Sequence, residues 1–172
     1  MVWIYGDYKE RLEQALSNII ASLVKQIIYQ RGELSNEVED LYKTHRGRES
    51  CPTLREIRKL LHSEVREFSK VFIVIDAIDE IANGQGQTRT LAEELRALPR
   101  NVYIMVTTRP IPAIEAEFAS FTRLEIRAVD EDVRSYVISR MSRENLLAKH
   151  IQAEPTLAET ITSKVMGNVQ GM

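Results

Sequence analysis

The spacing of apolar residues divides the chain into strand-like and helix-like segments. Three short runs are continuously apolar and rich in β-branched or aromatic residues, namely Val2–Tyr5, 71–75 and Val102–Val106. A fourth run, 121–129, alternates more between apolar and polar residues. Continuous apolar runs are typical of parallel strands that are buried on both faces. We therefore predict four strands in a mostly parallel sheet that is covered on both sides.

The segments between these runs follow helical spacing. An apolar stripe from Leu12 to Ile28 predicts a long first helix, which Gly32 terminates. Thr53 and Glu56 have the spacing of a capping box and predict the start of another helix. Weaker patterns predict helices over 36–43 and 91–98, over 130–141 with Asp130 as N-cap, and from Pro155 onward. Strands that alternate with helices indicate the α/β class.

Composition limits the classes of function. The chain has 172 residues, 28% of them charged, and a net charge of -2 with scattered basic residues, which argues against a nucleic-acid-binding surface. No apolar run approaches the ~20 residues that span a bilayer, and no secretory leader is recognisable. The single cysteine, Cys51, excludes a disulfide framework. We predict a cytoplasmic protein with a free thiol, with neither nucleic acid nor membrane as partner.

The two ends of the chain and one internal segment have unusual patterns. Met1 leads directly into a buried-type strand, and the apolar pattern of the last helix is still running at Met172. Self-contained domains usually end in polar, exposed segments, so we expect both ends to be truncations. The segment 83–87 is rich in glycine and polar residues, and we predict a mobile loop there.

Three carboxylates follow the strand-like run 71–75. Asp76 stands where the apolar residues end, and Asp79 and Glu80 lie just beyond it. Ligands of open parallel sheets bind outside the carboxyl ends of the strands. Mg²⁺ takes one or two carboxylates, which suits Asp76, and hydrolysis needs a carboxylate near the attacking water, which suits Glu80 and Asp79. The alternative is that Asp79 and Glu80 only cap the next turn and face solvent.

The next strand-like run ends in polar residues as well. Thr107, Thr108 and Arg109 follow Val106, and a parallel sheet brings them to the same edge as Asp76. The planar guanidinium of an arginine matches the oxygens of a phosphate. Arg109 is therefore a candidate phosphate ligand, with a surface salt bridge to Glu80 as the alternative.

In this combination the sequence resembles NACHT domains of the STAND-class P-loop NTPases. VFIVIDAIDE, at 71–80, resembles their extended Walker B segment, and VYIMVTTRP, at 102–110, resembles their sensor segment. Residues 124–137 resemble the strand and helix that follow the sensor, and 5–26 resemble the segment after the phosphate loop. The nearest group is the nephrocystin-like N-terminal domain found in large fungal proteins with ankyrin or similar repeats.

The resemblance implies a P-loop NTPase-like parallel sheet with flanking helices. It makes 1–128 a partial nucleotide-binding core and 129–172 the start of a helical region. In the intact parent, with ATP and Mg²⁺ as cofactors, Asp76 holds Mg²⁺ through water and Glu80 is the catalytic acid beside Asp79. Arg109 is the sensor that faces the nucleotide, together with Thr108.

One motif of this family is missing. The sequence contains no G-x-x-x-x-G-K-[ST] loop and no Gly-Lys pair. In the family this loop precedes the position of Met1, so the first strand, the loop and the following helix are lacking. By the resemblance, the absent strand belongs between the runs 102–106 and 121–129, which are strands four and five of the family's sheet. We expect strand five to leave a gap or pair with strand four, or the sheet to remain partly molten. We expect this chain alone to bind neither ATP nor Mg²⁺ and to be inactive.

Three hypotheses of function follow. The first is a fragment of an ATP-dependent oligomerisation switch, with protein partners or self-association through flanking domains. The second is a non-catalytic protein-interaction module or a degenerate remnant of the same fold. The third is a Mg²⁺-dependent phosphotransferase or nuclease built on Asp76, Asp79 and Glu80, against which the Asp-x-x-Asp-Glu spacing argues.

Overall fold

The computed structural model describes residues 1–9, 14–81, 85–126 and 129–168. They form two compact units, Met1–Phe121 and Thr122–Met172. The elements of the first unit are β1 (Val2–Tyr5), α1 (Leu16–Arg31), α2 (Asn36–Gly47), α3 (Leu54–Arg66), β2 (Val71–Asp76), α4 (Ile78–Ile81), α5 (Gln85–Arg96), β3 (Val102–Val106) and α6 (Pro112–Glu117). The elements of the second unit are α7 (Asp130–Arg143), α8 (Asn145–Ala153) and α9 (Thr156–Asn168).

The sheet of the first unit is parallel and small. In the described residues it has three strands in the order β1-β2-β3. Ile73 of β2 lies between Val2 of β1 and Ile104 of β3, and all three strands run in the same direction. The structure therefore confirms the α/β class and the parallel sheet with flanking helices, and it places β2 at the centre.

The core lies on one side of this sheet. Ile73 and Ile75 of β2 are completely buried there. The same cluster contains one buried side chain from each of three helices, namely Leu23 of α1, Val65 of α3 and Leu91 of α5. Burial of each such side chain stabilises the fold by roughly 1.5–3 kcal/mol. The helices therefore fix the position of the central strand, and with it the position of the residues at its end.

The predicted helix boundaries are confirmed where the signals are local. Gly32 caps α1 in the left-handed conformation, with φ of 81°, and Leu12 of the predicted stripe lies outside the described residues. Thr53 and Glu56 form the complete capping box of α3. Hydrogen bonds from the Thr53 hydroxyl and backbone N–H lower the pKa of Glu56 to about 2. Cys51 is a free, exposed thiol, as predicted.

The prediction that the sheet is buried on both faces is wrong. Along β2, Val71 is buried, whereas Phe72 is 49% exposed. The same alternation occurs in β1, where the exposed Trp3 and Tyr5 alternate with the buried Val2 and Ile4. The described helices that pack on the sheet share one core, so the opposite face remains uncovered. A continuous apolar run does not reveal which of its two faces is covered.

The fourth predicted strand is not observed in the described part of 121–129. Residues 122–126 form no strand, and the apolar residues Leu124 and Ile126 are 83% and 80% exposed. A strand needs a neighbour for its backbone hydrogen bonds, and no described strand pairs with this segment. Its alternating sequence is suited to a strand, but its described residues do not pair with β3, so the repair of the sheet, one of the three alternatives, is not observed there.

The second unit is helical in its described residues. Helix α7 begins at Asp130, and Val129 occupies the N-cap position, so the prediction that Asp130 is the N-cap is wrong by one residue. Helix α9 begins directly after Pro155, as predicted, and α8 was not predicted.

The prediction of a mobile loop over 83–87 is wrong for residues 85–87. Residues 85–87 belong to α5, and Asn83 and Gly84 lie outside the described residues. The glycine-rich composition of this segment suggested a loop, but Gly86 lies within the helix.

Candidate functional site

The carboxyl ends of the three strands meet at one edge of the sheet, and the carboxylates follow the central strand there. Asp76 is the last residue of β2, and the register pairs it with Tyr5 of β1. Ala77 then has a positive φ of 52°, which turns the chain sharply into the single-turn helix α4. A left-handed alanine is strained, and such strain concentrates at functional sites. The turn puts Asp79 and Glu80 within one helical turn of Asp76.

A threonine of β3 holds the carboxylate of Asp76. The hydroxyl of Thr107 donates to Asp76 Oδ1 at 2.5 Å and accepts from the backbone N–H of Ala77 at 2.9 Å. One hydroxyl thus fixes both the carboxylate and the strained peptide that follows it. The second carboxylate oxygen of Asp76 has no hydrogen bond to a described residue, and it remains available to a cation or to water.

Arg109 is bound to Asp79 and not to Glu80. The side chain of Asp79 is only 2% exposed, and its Oδ2 lies 2.5 Å from Nε of Arg109. The backbone N–H of Arg109 donates to the other oxygen at 3.3 Å. Burial raises the pKa of Asp79, but the hydrogen bonds from Arg109 outweigh this effect and the pKa lies below its ordinary value. The same pairing raises the pKa of Arg109. Asp79 therefore fixes the start of the loop that follows β3.

Glu80 and Thr108 have different surroundings. Glu80 is half-buried, and its carboxylate has no hydrogen bond or ion pair with any described residue. Thr108 is exposed, and its hydroxyl donates to the carbonyl oxygen of Arg109 at 3.0 Å. Of the two carboxylates in α4, Glu80 is therefore the one without a hydrogen bond or ion pair to a described residue.

The threonine that contacts Asp76 was not selected from the sequence. We singled out Thr108 as a cofactor ligand, whereas the structure brings Thr107 to Asp76. The observed register of the sheet explains this contact, because β2 and β3 pair Val71 with Val102 and Ile75 with Val106. Continuing that register by one residue places Thr107 beside Asp76.

Gly6 joins the third strand to the same site. Its N–H donates to the carbonyl oxygen of Asp76 at 2.8 Å. A Cβ atom at this position would lie 2.1 Å from the carbonyl oxygen of Ala77, which is much shorter than any van der Waals contact. Glycine is therefore required here because the end of β1 packs directly against the strained turn after β2.

The chemistry of these donors fits a hard cation that keeps most of its water. The described residues contain no cluster of three or more histidine, cysteine, aspartate or glutamate side chains able to hold a metal ion. Mg²⁺ needs no such cluster, because it binds through one or two carboxylates and completes its shell with water and phosphate oxygens. Asp76, with one oxygen fixed by Thr107 and the other available, meets this requirement.

Comparison with known families decides the relationship of the chain. The model of the family described as Nephrocystin 3, N-terminal matches residues 1–109. The chain belongs to this family. The matched segment ends at Arg109 and includes all of β1, β2 and β3, so the whole candidate site lies within it. No curated protein and no solved structure matches the chain.

In the described residues, no helix is both long enough and apolar enough to cross a membrane.

Proposed function

We propose that this nephrocystin 3 N-terminal domain forms the metal-and-water half of the nucleotide site of a NACHT-type P-loop ATPase. The observation that supports it most is the end of the central strand. There Asp76 is fixed by Thr107, and the half-buried Glu80 follows within one turn. Central strands of P-loop NTPases end in such a carboxylate, which meets the Mg²⁺ bound to the phosphates.

Each side chain of the site has a separate role in this proposal. Asp76 would hold Mg²⁺ through water, which would supply charge neutralisation at the phosphates. Glu80, whose carboxylate has no hydrogen bond or ion pair with a described residue, would orient the attacking water and accept its proton. Asp79 is already neutralised by Arg109 and is therefore a positioning residue for that arginine. Arg109 is 71% exposed, and its terminal nitrogens would contact the terminal phosphate of a bound nucleotide.

The phosphate-binding loop is a necessary part of this site. The sequence has no G-x-x-x-x-G-K-[ST] motif. The backbone N–H groups and the lysine of that loop supply most of the contacts to the phosphates. We therefore assign ATP binding to the domain completed by this loop. The function that follows is a cytoplasmic, ATP-dependent switch that changes its assembly with the state of its nucleotide.

A chimera tests the proposal. About 40 residues from a relative that contain the missing strand, loop and helix are joined upstream of Val2. We expect ATP binding with Mg²⁺ in this chimera, measured by calorimetry, and slow hydrolysis. Asp76→Ala should weaken binding about tenfold or more, whereas the exposed Asp40 of α2 provides a matched control, Asp40→Ala, without effect.

The variants of α4 separate the roles of its two carboxylates. Glu80→Gln should leave binding of Mg-ATP intact and abolish hydrolysis. Asp79→Asn should weaken both, because Arg109 loses its charged partner. A folded chimera that binds no ATP contradicts the proposal, and so does one in which Asp76→Ala binds as well as the parent.

A further inference from the structure

A serine, a histidine and a glutamate form a continuous hydrogen-bonded chain between α2 and α3. Nδ1 of His45 lies 2.8 Å from the hydroxyl oxygen of Ser50, and Nε2 of the same ring lies 3.2 Å from Oε1 of Glu56. His45 belongs to the last turn of α2, Glu56 to the first turn of α3, and Ser50 to the segment that joins them. We refer to these three residues as the triad. They lie outside the sheet and outside the site at the end of β2.

The protonation state of His45 follows from that of Glu56. The hydroxyl and the backbone N–H of Thr53 both donate to Oε2 of Glu56 at 2.7 Å. These bonds hold the pKa of Glu56 at about 2, so its carboxylate is ionised at neutral pH and only accepts hydrogen bonds. Nε2 of His45 therefore carries a proton, and in the neutral ring Nδ1 is then the acceptor for the Ser50 hydroxyl. This is the tautomer that a general base beside a serine requires.

The backbone holds Ser50 beside the imidazole. Glu49, which precedes it, has a positive φ of 49°, a strained conformation for a residue with a side chain. In the turn that results, the N–H of Ser50 donates to the carbonyl oxygen of His45 at 3.1 Å. Only 11% of the His45 side chain is exposed, whereas Ser50 is an exposed residue. The base is therefore held in place, and the serine is accessible to a substrate.

Helix capping explains only part of this arrangement. The capping box of α3 requires Thr53 and Glu56, but neither His45 nor Ser50. A hydroxyl bonded to an imidazole that is bonded in turn to a carboxylate is the arrangement of an activated nucleophile. The N–H of Cys51 has no hydrogen bond with a described residue. In hydrolases with a strained nucleophile turn, the N–H of the residue after the serine is an oxyanion donor, and Cys51 occupies that position.

Positive charge adjoins the triad. An open cavity of about 610 Å³ reaches the triad at Glu56 and is also lined by Thr53, Arg55 and Lys59. Arg55 and Lys59 are exposed, and neither forms an ion pair with a described residue. These two cations are therefore available to a negatively charged group of a substrate.

We propose that the triad is a second catalytic site, at which Ser50 attacks the carbonyl carbon of a small, negatively charged ester. His45 accepts the proton of Ser50 as the new C–O bond forms, and it returns this proton to the leaving alcohol as the C–O bond of the ester breaks. Water, deprotonated by His45, then releases the acyl group from Ser50 as a carboxylic acid and restores the serine. The ionised Glu56 stabilises the imidazolium in both steps, and the N–H of Cys51 donates to the oxyanion. This activity is independent of nucleotide binding.

Labelling of the full chain tests the nucleophile. The chain is incubated with a fluorophosphonate, which phosphonylates activated serines with release of fluoride, and mass spectrometry locates the modified residue. We expect modification of Ser50, its loss in Ser50→Ala, and a labelling rate at least about 100-fold lower in His45→Gln. Ser142→Ala is the matched control, because Ser142 is exposed and its hydroxyl donates to a backbone carbonyl oxygen, and it should be labelled like the parent. Circular dichroism checks that each variant is folded.

Two esters test the reaction and the substrate class. The carboxylate of mono-p-nitrophenyl succinate is absent from p-nitrophenyl acetate. We expect kcat/KM to be about threefold or more higher for the succinate ester, and Arg55→Ala combined with Lys59→Ala to remove this preference. Equal values for the two esters in the parent would overturn the assignment of a negatively charged substrate.

Three results would overturn the catalytic site itself. The first is a folded parent chain in which the fluorophosphonate modifies no serine or a serine other than Ser50. The second is labelling that persists in Ser50→Ala. The third is ester hydrolysis that is as fast in His45→Gln as in the parent, which would leave the imidazole with a purely structural role.

Discussion

Replacing Thr107 by valine tests the central contact of the candidate site. Valine has nearly the shape of threonine but no hydroxyl, so the packing of β3 is preserved. The hydroxyl of Thr107 donates to Asp76 Oδ1 and accepts from the N–H of Ala77, at 2.5 and 2.9 Å. The variant therefore loses two hydrogen bonds and leaves both partners without a replacement in the described residues.

The expected loss can be estimated from these two bonds. A hydrogen bond to a charged group contributes about 1.5–3 kcal/mol and a neutral one about 1 kcal/mol. Thr107 and Asp76 are half-buried, so water partly replaces the lost bonds. We therefore expect Thr107→Val to lower the free energy of unfolding by about 2 kcal/mol. A single hydroxyl contributes this much because it also restrains the strained Ala77.

The assay is unfolding in urea, followed by circular dichroism and by the fluorescence of Trp3. Thr108→Val is the matched control, because Thr108 is exposed and its hydroxyl bonds only to the neighbouring carbonyl oxygen of Arg109. The control should change the free energy of unfolding by less than about 0.5 kcal/mol. If Thr107→Val and Thr108→Val have the same free energy of unfolding within error, the two hydrogen bonds of the Thr107 hydroxyl do not stabilise the fold.

Two further predictions concern the turn after β2 and the start of α3. Gly6→Ala should lower the free energy of unfolding by about 1–3 kcal/mol in urea, because its Cβ atom collides with the carbonyl oxygen of Ala77. Glu56→Gln should reduce the acid sensitivity of the protein. The pKa of Glu56 is about 2 in the folded chain against an ordinary 4.5, because Thr53 donates to it. Its stabilising effect is complete above pH 4.5 and is lost as the pH falls to 2.

Each of these predictions has a control in the chain. Gly47→Ala adds a Cβ atom with nothing within 4 Å, so it should not destabilise, and equal losses for Gly6→Ala and Gly47→Ala would contradict the packing argument. Glu67→Gln removes an exposed carboxylate at the other end of α3. If Glu67→Gln and Glu56→Gln flatten the stability between pH 4.5 and 2 equally, the capping box is not the cause.

The sequence was sufficient where one local signal decides the structure. The left-handed cap at Gly32, the capping box at Thr53 and the carboxylate at the end of β2 each depend on a few neighbouring residues. Local chemistry of this kind is independent of the rest of the fold. For the same reason, the position of Asp76 at the carboxyl edge was correctly predicted.

Features that depend on distant partners were not predictable from the pattern. The exposure of Phe72 is determined by which face the helices cover, and a continuous apolar run is the same in both cases. Leu124 and Ile126 have the alternation of a strand, but a strand also requires a neighbour. The ion pair of Arg109 with Asp79, and not with Glu80, follows the turn at Ala77. Asp79 is buried after this turn, and Glu80 has no hydrogen bond or ion pair with a described residue.

In the proposed site, Asp76 is the residue through which Mg²⁺ stabilises bound nucleotide, and one measurement tests this directly. In the chimera that contains the phosphate loop, the Kd for ATP is measured with Mg²⁺ and again in a chelator. We predict that Mg²⁺ tightens binding about tenfold or more, equivalent to at least roughly 1.4 kcal/mol, and that Asp76→Asn abolishes this gain while keeping the metal-free affinity. If Mg²⁺ tightens binding equally in the parent and in Asp76→Asn, the assignment of this edge of the sheet as the metal site is wrong.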